Sequence, residues 1–145
     1  MSRRELVEVG IRPWAEGDLG LLERLMGDAA MTVHIGGPES PEQIRERHER
    51  YCRIDGSGTG RMFVIVVGPE RVAAGSVGFW ERERRGEQVW ETGWSVLPAF
   101  QGQGVATRAT AAVVEQARAV GSGYITCELY NKGAPPVSPV NPKAP

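Results

Sequence analysis

Gln101, Gly102, Gln103 and Gly104 stand directly before Val105, Ala106 and Thr107, so two glycines punctuate the entry to a small-residue helical stretch. That order suits a pyrophosphate. First-turn amide hydrogens have no intrahelical acceptor, the helix dipole favours negative charge, and glycine lets an anion approach the backbone. The same spacing also serves a tight strand-to-helix turn that holds nothing. Upstream, Glu91 lies between Trp90 and Trp94 on a strand-like segment. A carboxylate partly desolvated by indoles has its pKa raised toward a value useful for accepting a proton. The alternative is a solvent-facing strand glutamate paired across a hairpin, and Glu81 is the second candidate for the base. His34 and His48 have no paired carboxylate in view and read as structural or exposed. Arg108 opposes the helix dipole, which makes sense beside a phosphate; a surface arginine is the equal alternative.

The elements that position these residues follow from pattern. Leu6 to Arg12 alternates as an opening strand. Asp18 reads as the N-cap of a helix whose apolar stripe is Leu21, Leu22, Leu25 and Met26, closed by Gly27. Gly36-Gly37-Pro38 breaks the chain. Ser40-Pro41-Glu42-Gln43 is a capping box with proline at the first helical position. The helix it opens carries Ile44, His48, Tyr51 and Cys52 on one side, and its many charges read as a solvated face. Residues 55–60 read as a loop and Met62 to Val67 as a buried strand. Ala73 to Glu81 and Gln88 to Val96 form a hairpin around Arg84-Arg85-Gly86-Glu87. Its tryptophans, Trp80, Trp90 and Trp94, read as core and pocket wall. Ala106 to Val120 is helical, with Ala109, Val113, Ala117 and Val120 facing a sheet and Gly121 as a stop. Tyr124 to Tyr130 is a last strand.

Composition narrows the function. A chain of 145 residues with a formal net charge of −1 reads as one domain with no global field for nucleic acid or an anionic membrane. No apolar run reaches the roughly 20 residues that span a bilayer. Cys52 and Cys127 make no metal or disulfide framework and read as reduced thiols of a cytoplasmic protein. A dinucleotide fold places its glycines after the first strand of a parallel unit, and a P-loop needs Gly-Lys-Ser/Thr; neither is present.

Gln101 to Ala106 fits the Gln/Arg-x-x-Gly-x-Gly/Ala signature of the GNAT superfamily of N-acetyltransferases. Glu91 to Val96 resembles the family's fourth strand, and Pro98-Ala99-Phe100 its usual lead-in. Ile11-Arg12-Pro13-Trp14 with Asp18-Leu19 resembles the opening of the branch that acetylates ribosomal-protein N-termini and small amines. The resemblance implies an α/β fold, a twisted and mainly antiparallel sheet flanked by helices, with acetyl-CoA bound where two strands splay. It implies that the backbone of Trp94, Ser95 and Val96 pairs with the pantetheine arm and that Gln101 to Thr107 holds the pyrophosphate. Asn131 would contact the cofactor, and Glu91 would be the general base. The helix near residues 41–52 would border the acceptor pocket.

The expected domain is residues 1–130. Five of the thirteen residues from Gly133 to Pro145 are proline, so residues 131–145 read as an extended or disordered tail. The family's further C-terminal helix and strands, and the tyrosine acid that helix usually carries, are not legible there; Tyr130 is a weak substitute. The expected function is acetyl transfer from acetyl-CoA to a primary amine, small molecule or peptide, by direct attack in a ternary complex, without a metal. The alternative is a non-catalytic acyl-CoA-binding remnant. An exposed sheet edge would pair with a second copy as a homodimer.

Overall fold

A computed structural model of the chain describes residues 8–33, 36–57, 60–84, 86–120 and 124–127. The expectations for His34, Gly121, Tyr130, Asn131 and the 131–145 tail lie outside these residues.

Five strands run in the order β1 (Val9–Pro13), β2 (Gly60–Val67), β3 (Val72–Arg84), β4 (Glu87–Val96) and β5 (Tyr124–Cys127) across one sheet. The first four are antiparallel neighbours, and β5 joins β4 in parallel, Val89 opposite Tyr124 through Thr92 opposite Cys127. The helices are α1 (Leu19–Met26), α2 (Pro41–Ser57) and α3 (Val105–Val120). This is the mixed α/β arrangement that the sequence implied.

Side-chain alternation along the strands splits the core in two. On one face Phe63, Ile65, Val77, Phe79 and Trp90 pack against Val105, Ala109, Val113 and Ala117 of α3. On the other, Met62, Val64 and Val66 lie under Leu22 and Leu25 of α1 and Ile44 of α2. Burying each such side chain contributes about 1.5–3 kcal/mol, so both faces must be covered for the sheet to persist.

Local signals account for several boundaries. Ser40 Oγ accepts from the Gln43 amide at 3.1 Å, and Gln43 Oε1 accepts from the Ser40 amide at 2.9 Å, which fixes the start of α2. The Gly27 amide donates to the Glu23 carbonyl and closes α1. Two expectations change. Within the expected loop of residues 55–60, residues 55–57 belong to α2, which continues to Ser57, and Gly60 begins β2, where it stands opposite Trp80. Asp18 precedes α1 as expected, but its carboxylate makes no cap hydrogen bond to that helix. It accepts instead from Arg12 Nη1 and Nη2 at 2.9 and 2.8 Å and from the Ala15 amide at 2.8 Å. A buried carboxylate gains more from two charge-assisted bonds than from one neutral amide.

Candidate active site

The glycine turn forms where β4 ends. Pro98 opens a short 3₁₀ turn, Pro98–Phe100, and Gln101 to Gly104 carry the chain into α3. Gly102 and Gly104 have φ of +76° and +77°. That left-handed region strains any residue with a Cβ, so the turn requires glycine at both positions. A Cβ placed on either would meet nothing within 4 Å. The first intrahelical bond runs from the Arg108 amide to the Gly104 carbonyl at 3.1 Å. Val105, Ala106 and Thr107 therefore present the first-turn amides that have no intrahelical acceptor. Two open glycine positions before the amino end of a 16-residue helix are a shape into which a pyrophosphate fits.

These residues border a cleft of about 910 Å³. Trp94, Ser95, Val96, Gln101, Gly102, Gly104, Val105, Ala106 and Thr107 are among its lining residues, and so are Glu39, Arg47, Tyr51, Met62, Ser76, Trp80 and Gly93. Gln103 does not line it; its side-chain amide donates to the Ala99 carbonyl at 3.2 Å. Gln101 Nε2 donates to the Val96 carbonyl at 2.8 Å, so this side chain braces the end of β4 while its backbone follows the turn. The described pairing of β4 with β5 stops at Thr92, whereas its pairing with β3 continues to Val96.

Glu91 is 1 % exposed and stands opposite Trp80 in the β3–β4 register. Its Oε1 accepts from Trp80 Nε1 at 2.8 Å and from Arg82 Nη2 at 2.7 Å, and its Oε2 accepts from Arg82 Nε at 3.1 Å. Both sequence readings of Glu91 change in part: it is paired across the hairpin but not solvent-facing, and the indole beside it is Trp80 rather than Trp90 and Trp94, which pack on the α3 side of the sheet. Glu91 does not itself line the cleft; Trp80, which it holds, does. Gly93 makes room for that indole, since a Cβ there would lie 2.9 Å from Trp80 Cη2.

His48 is occupied elsewhere. Trp14 Nε1 donates to its Nδ1 at 3.0 Å, which leaves the proton of the neutral ring on Nε2, 3.7 Å from Cys52 Sγ. With its lone pair engaged, His48 serves the packing of α2 against Trp14. Burial pushes the Cys52 thiol pKa up, the opposite of an activated nucleophile. Among the described residues no group of His, Cys, Asp and Glu could hold a metal ion. None of the described helices is long and apolar enough to cross a membrane.

Three parts of the site were not singled out in the sequence. Arg82 completes the Glu91 cluster, and counting outward from Arg84 and Glu87 across the expected hairpin sets Trp80 opposite Glu91 and Arg82 opposite Val89. Gly93 carries no motif. Arg47, read within a solvated face, is half-buried and paired with Glu39. The Glu39 carboxyl is held below its ordinary pKa, first by the hydrogen bonds from Arg47, and the Arg47 guanidinium is raised by the same contact.

A family model, the acetyltransferase (GNAT) domain, matches residues 8–132, and the chain belongs to that family. Solved structures agree in fold. The acetyltransferase from Salmonella typhimurium that modifies the N-terminal serine of ribosomal protein L7/L12 is 20% identical, with a TM-score of 0.66 over 83% of this chain and 70% of that one. The L7/L12 alpha-N-protein acetyltransferase RimL in complex with coenzyme A is 17% identical, with a TM-score of 0.66 and the same shares covered, 83% and 70%. Spermidine N-acetyltransferase from Vibrio cholerae, in complex with coenzyme A and spermine, is 18% identical, with a TM-score of 0.60 and shares of 83% and 70%. No curated protein matches the chain significantly.

Proposed function

We propose that this chain moves an acetyl group from acetyl-CoA to a primary amine by direct attack within a ternary complex. The observation that carries the reading is the turn at Gly102 and Gly104, open at both Cβ positions and followed by the first-turn amides of α3. Its motivation is also the family to which the chain belongs and the coenzyme A bound by the fold relatives RimL and spermidine N-acetyltransferase.

When bound, acetyl-CoA supplies an activated acetyl thioester. The amides of Val105, Ala106 and Thr107 hold its pyrophosphate, with Gln101 to Gly104 shaping the approach. The segment from Trp94 to Val96 aligns the pantetheine arm as an added strand would. The Val96 carbonyl already accepts from Gln101, and the Leu97 amide donates to Ala74 of β3, so by strand alternation Ser95 also turns its backbone to β3 and alignment falls to the Trp94 backbone and the Val96 amide. An amide near Val96 donates to the negative charge that develops on the attacked carbonyl oxygen. The acceptor amine enters past Trp80 and Tyr51, and its proton passes by way of solvent to Glu91, which stands behind Trp80 and does not itself line the cleft. The reading includes no covalent acyl-enzyme, and the Cys52 thiol lies outside the residues that line the cleft.

A second reading has its own observation. The Glu91 oxygens are held by Arg82 and Trp80, which suits a carboxylate that fixes the cleft wall in a non-catalytic acyl-CoA-binding protein. Bisubstrate kinetics with acetyl-CoA and a panel of amines separates the two. Intersecting initial-rate lines, with an acetylated amine found by mass spectrometry and no acetylated protein, support the transferase. Binding of acetyl-CoA with no product from any amine supports the remnant.

A further inference from the structure

A side pocket of about 470 Å³ continues the large cleft away from the glycine turn, sharing Arg47, Tyr51, Met62 and Trp80 with it. Beyond those shared residues its walls are Arg50, Arg53 and Ile54 of α2. Three arginines therefore border one concavity, and no carboxylate is among the described residues that line it. The neighbouring acids offset only part of this charge. Glu39 takes the Arg47 Nε hydrogen at 2.9 Å and is also the electrostatic neighbour of Arg50. Glu49 lies 3.9 Å from Arg53 with both side chains largely exposed, a geometry that contributes little. The pocket is left with a cationic surplus beside the apolar faces of Trp80 and Tyr51.

An amine seated at the Trp80 side of the cleft must send the rest of its molecule somewhere, and this pocket is the adjoining space. Resting on the transferase reading above, we propose that the acceptor amine carries an anionic group, carboxylate or phosphate, which Arg50 and Arg53 receive in the side pocket. Guanidinium forks match both anions in shape as well as charge. A polycationic acceptor meets like charge there and is disfavoured.

The test uses the full chain with acetyl-CoA and two matched pairs of acceptors. One pair is an amidated dipeptide beginning with serine, with aspartate or asparagine second; the other is phosphoethanolamine and ethanolamine. The anionic member of at least one pair should show a kcat/KM about tenfold above its neutral twin, the scale of one charge-assisted hydrogen bond. The pair that responds identifies carboxylate or phosphate. Arg50→Glu, and independently Arg53→Glu, should erase that preference through KM for the anionic member, while the acetyl-CoA-induced rise in Tm persists and shows that the variants are folded. Equal or reversed preference in both pairs, or a preference unchanged in both variants, overturns the inference and leaves the transferase reading standing. If no amine is acetylated, the transferase reading fails. Calorimetric titration of the same four compounds into the coenzyme A-loaded protein then decides the pocket, with tighter binding of the anionic twins supporting it and equal binding overturning it.

Discussion

Trp80 on β3 and Glu91 on β4 face each other directly in the hairpin register, and the indole Nε1 donates to Glu91 Oε1 at 2.8 Å. A cleft-lining ring is thereby anchored to a carboxylate that water scarcely reaches. Arg82 holds the same carboxylate from the exposed end of the hairpin, its side chain 46% accessible against 1% for Glu91. The pair links the proton-accepting candidate to the shape of the acceptor side of the cleft.

Replacing Glu91 with glutamine keeps the shape and removes the charge. As a general base, Glu91 must be ionised to act, so the rate falls as pH falls and the carboxylate takes up its proton. Glu91→Gln should lower kcat by about 100-fold and abolish that acidic limb, with acetyl-CoA affinity retained. A smaller loss with the limb intact, measured in pH–rate profiles, would make Glu91 an anchor for Trp80 only.

Gly93→Ala tests the anchor separately. The new methyl group would sit 2.9 Å from Trp80 Cη2, and the ring is tied at its other end to Glu91. Trp80 must shift, at a stability cost of about 1–3 kcal/mol. Amine KM should rise while acetyl-CoA affinity stays near that of the unmodified chain. Denaturant unfolding and initial rates measure the two effects.

Acid should weaken the fold through Asp18. Its pKa is lowered, first by the Arg12 hydrogen bonds, and a lowered carboxyl pKa contributes stability above the ordinary aspartate range that is lost as pH falls through the folded value. Glu39 is lowered the same way by Arg47. Asp18→Asn should cost about 1 kcal/mol near neutrality, discounted for the partly exposed Arg12, and flatten the decline of Tm toward acid pH. Glu39→Gln in addition should remove much of the remaining slope. An unchanged slope in the double variant would place the acid sensitivity elsewhere.

The parts of this structure that were legible in the sequence are those whose cause is local. Ser40 and Gln43 satisfy each other's amides within one turn, and Gly102 and Gly104 are glycines because the backbone there needs positive φ. The hairpin of β3 and β4 announced itself by alternation around a turn. What escaped depends on partners distant in sequence. Asp18 has the sequence position of a cap, yet Arg12 on β1 takes its carboxylate. Arg45, Arg50 and Arg53 are exposed, as a solvated face of α2 requires, but Arg47 is not, because sequence periodicity shows which side of a helix is charged and not that Trp80 and Met62 lie across from it. The Arg82–Glu91 contact needs the register as well as the hairpin. The acceptor's identity was illegible for the same reason, since no motif encodes a pocket assembled from separate elements.

Calorimetric titration of acetyl-CoA into the unmodified chain and into Gly104→Val tests the central claim most directly. Valine at φ +77° adds strain of about 1–2 kcal/mol and fills the space beside the first-turn amides of α3. The account predicts one-to-one binding by the unmodified chain and an affinity at least about tenfold weaker in the variant, with both proteins folded by circular dichroism. Equal affinity in the two, or no binding by the folded unmodified chain, would contradict it.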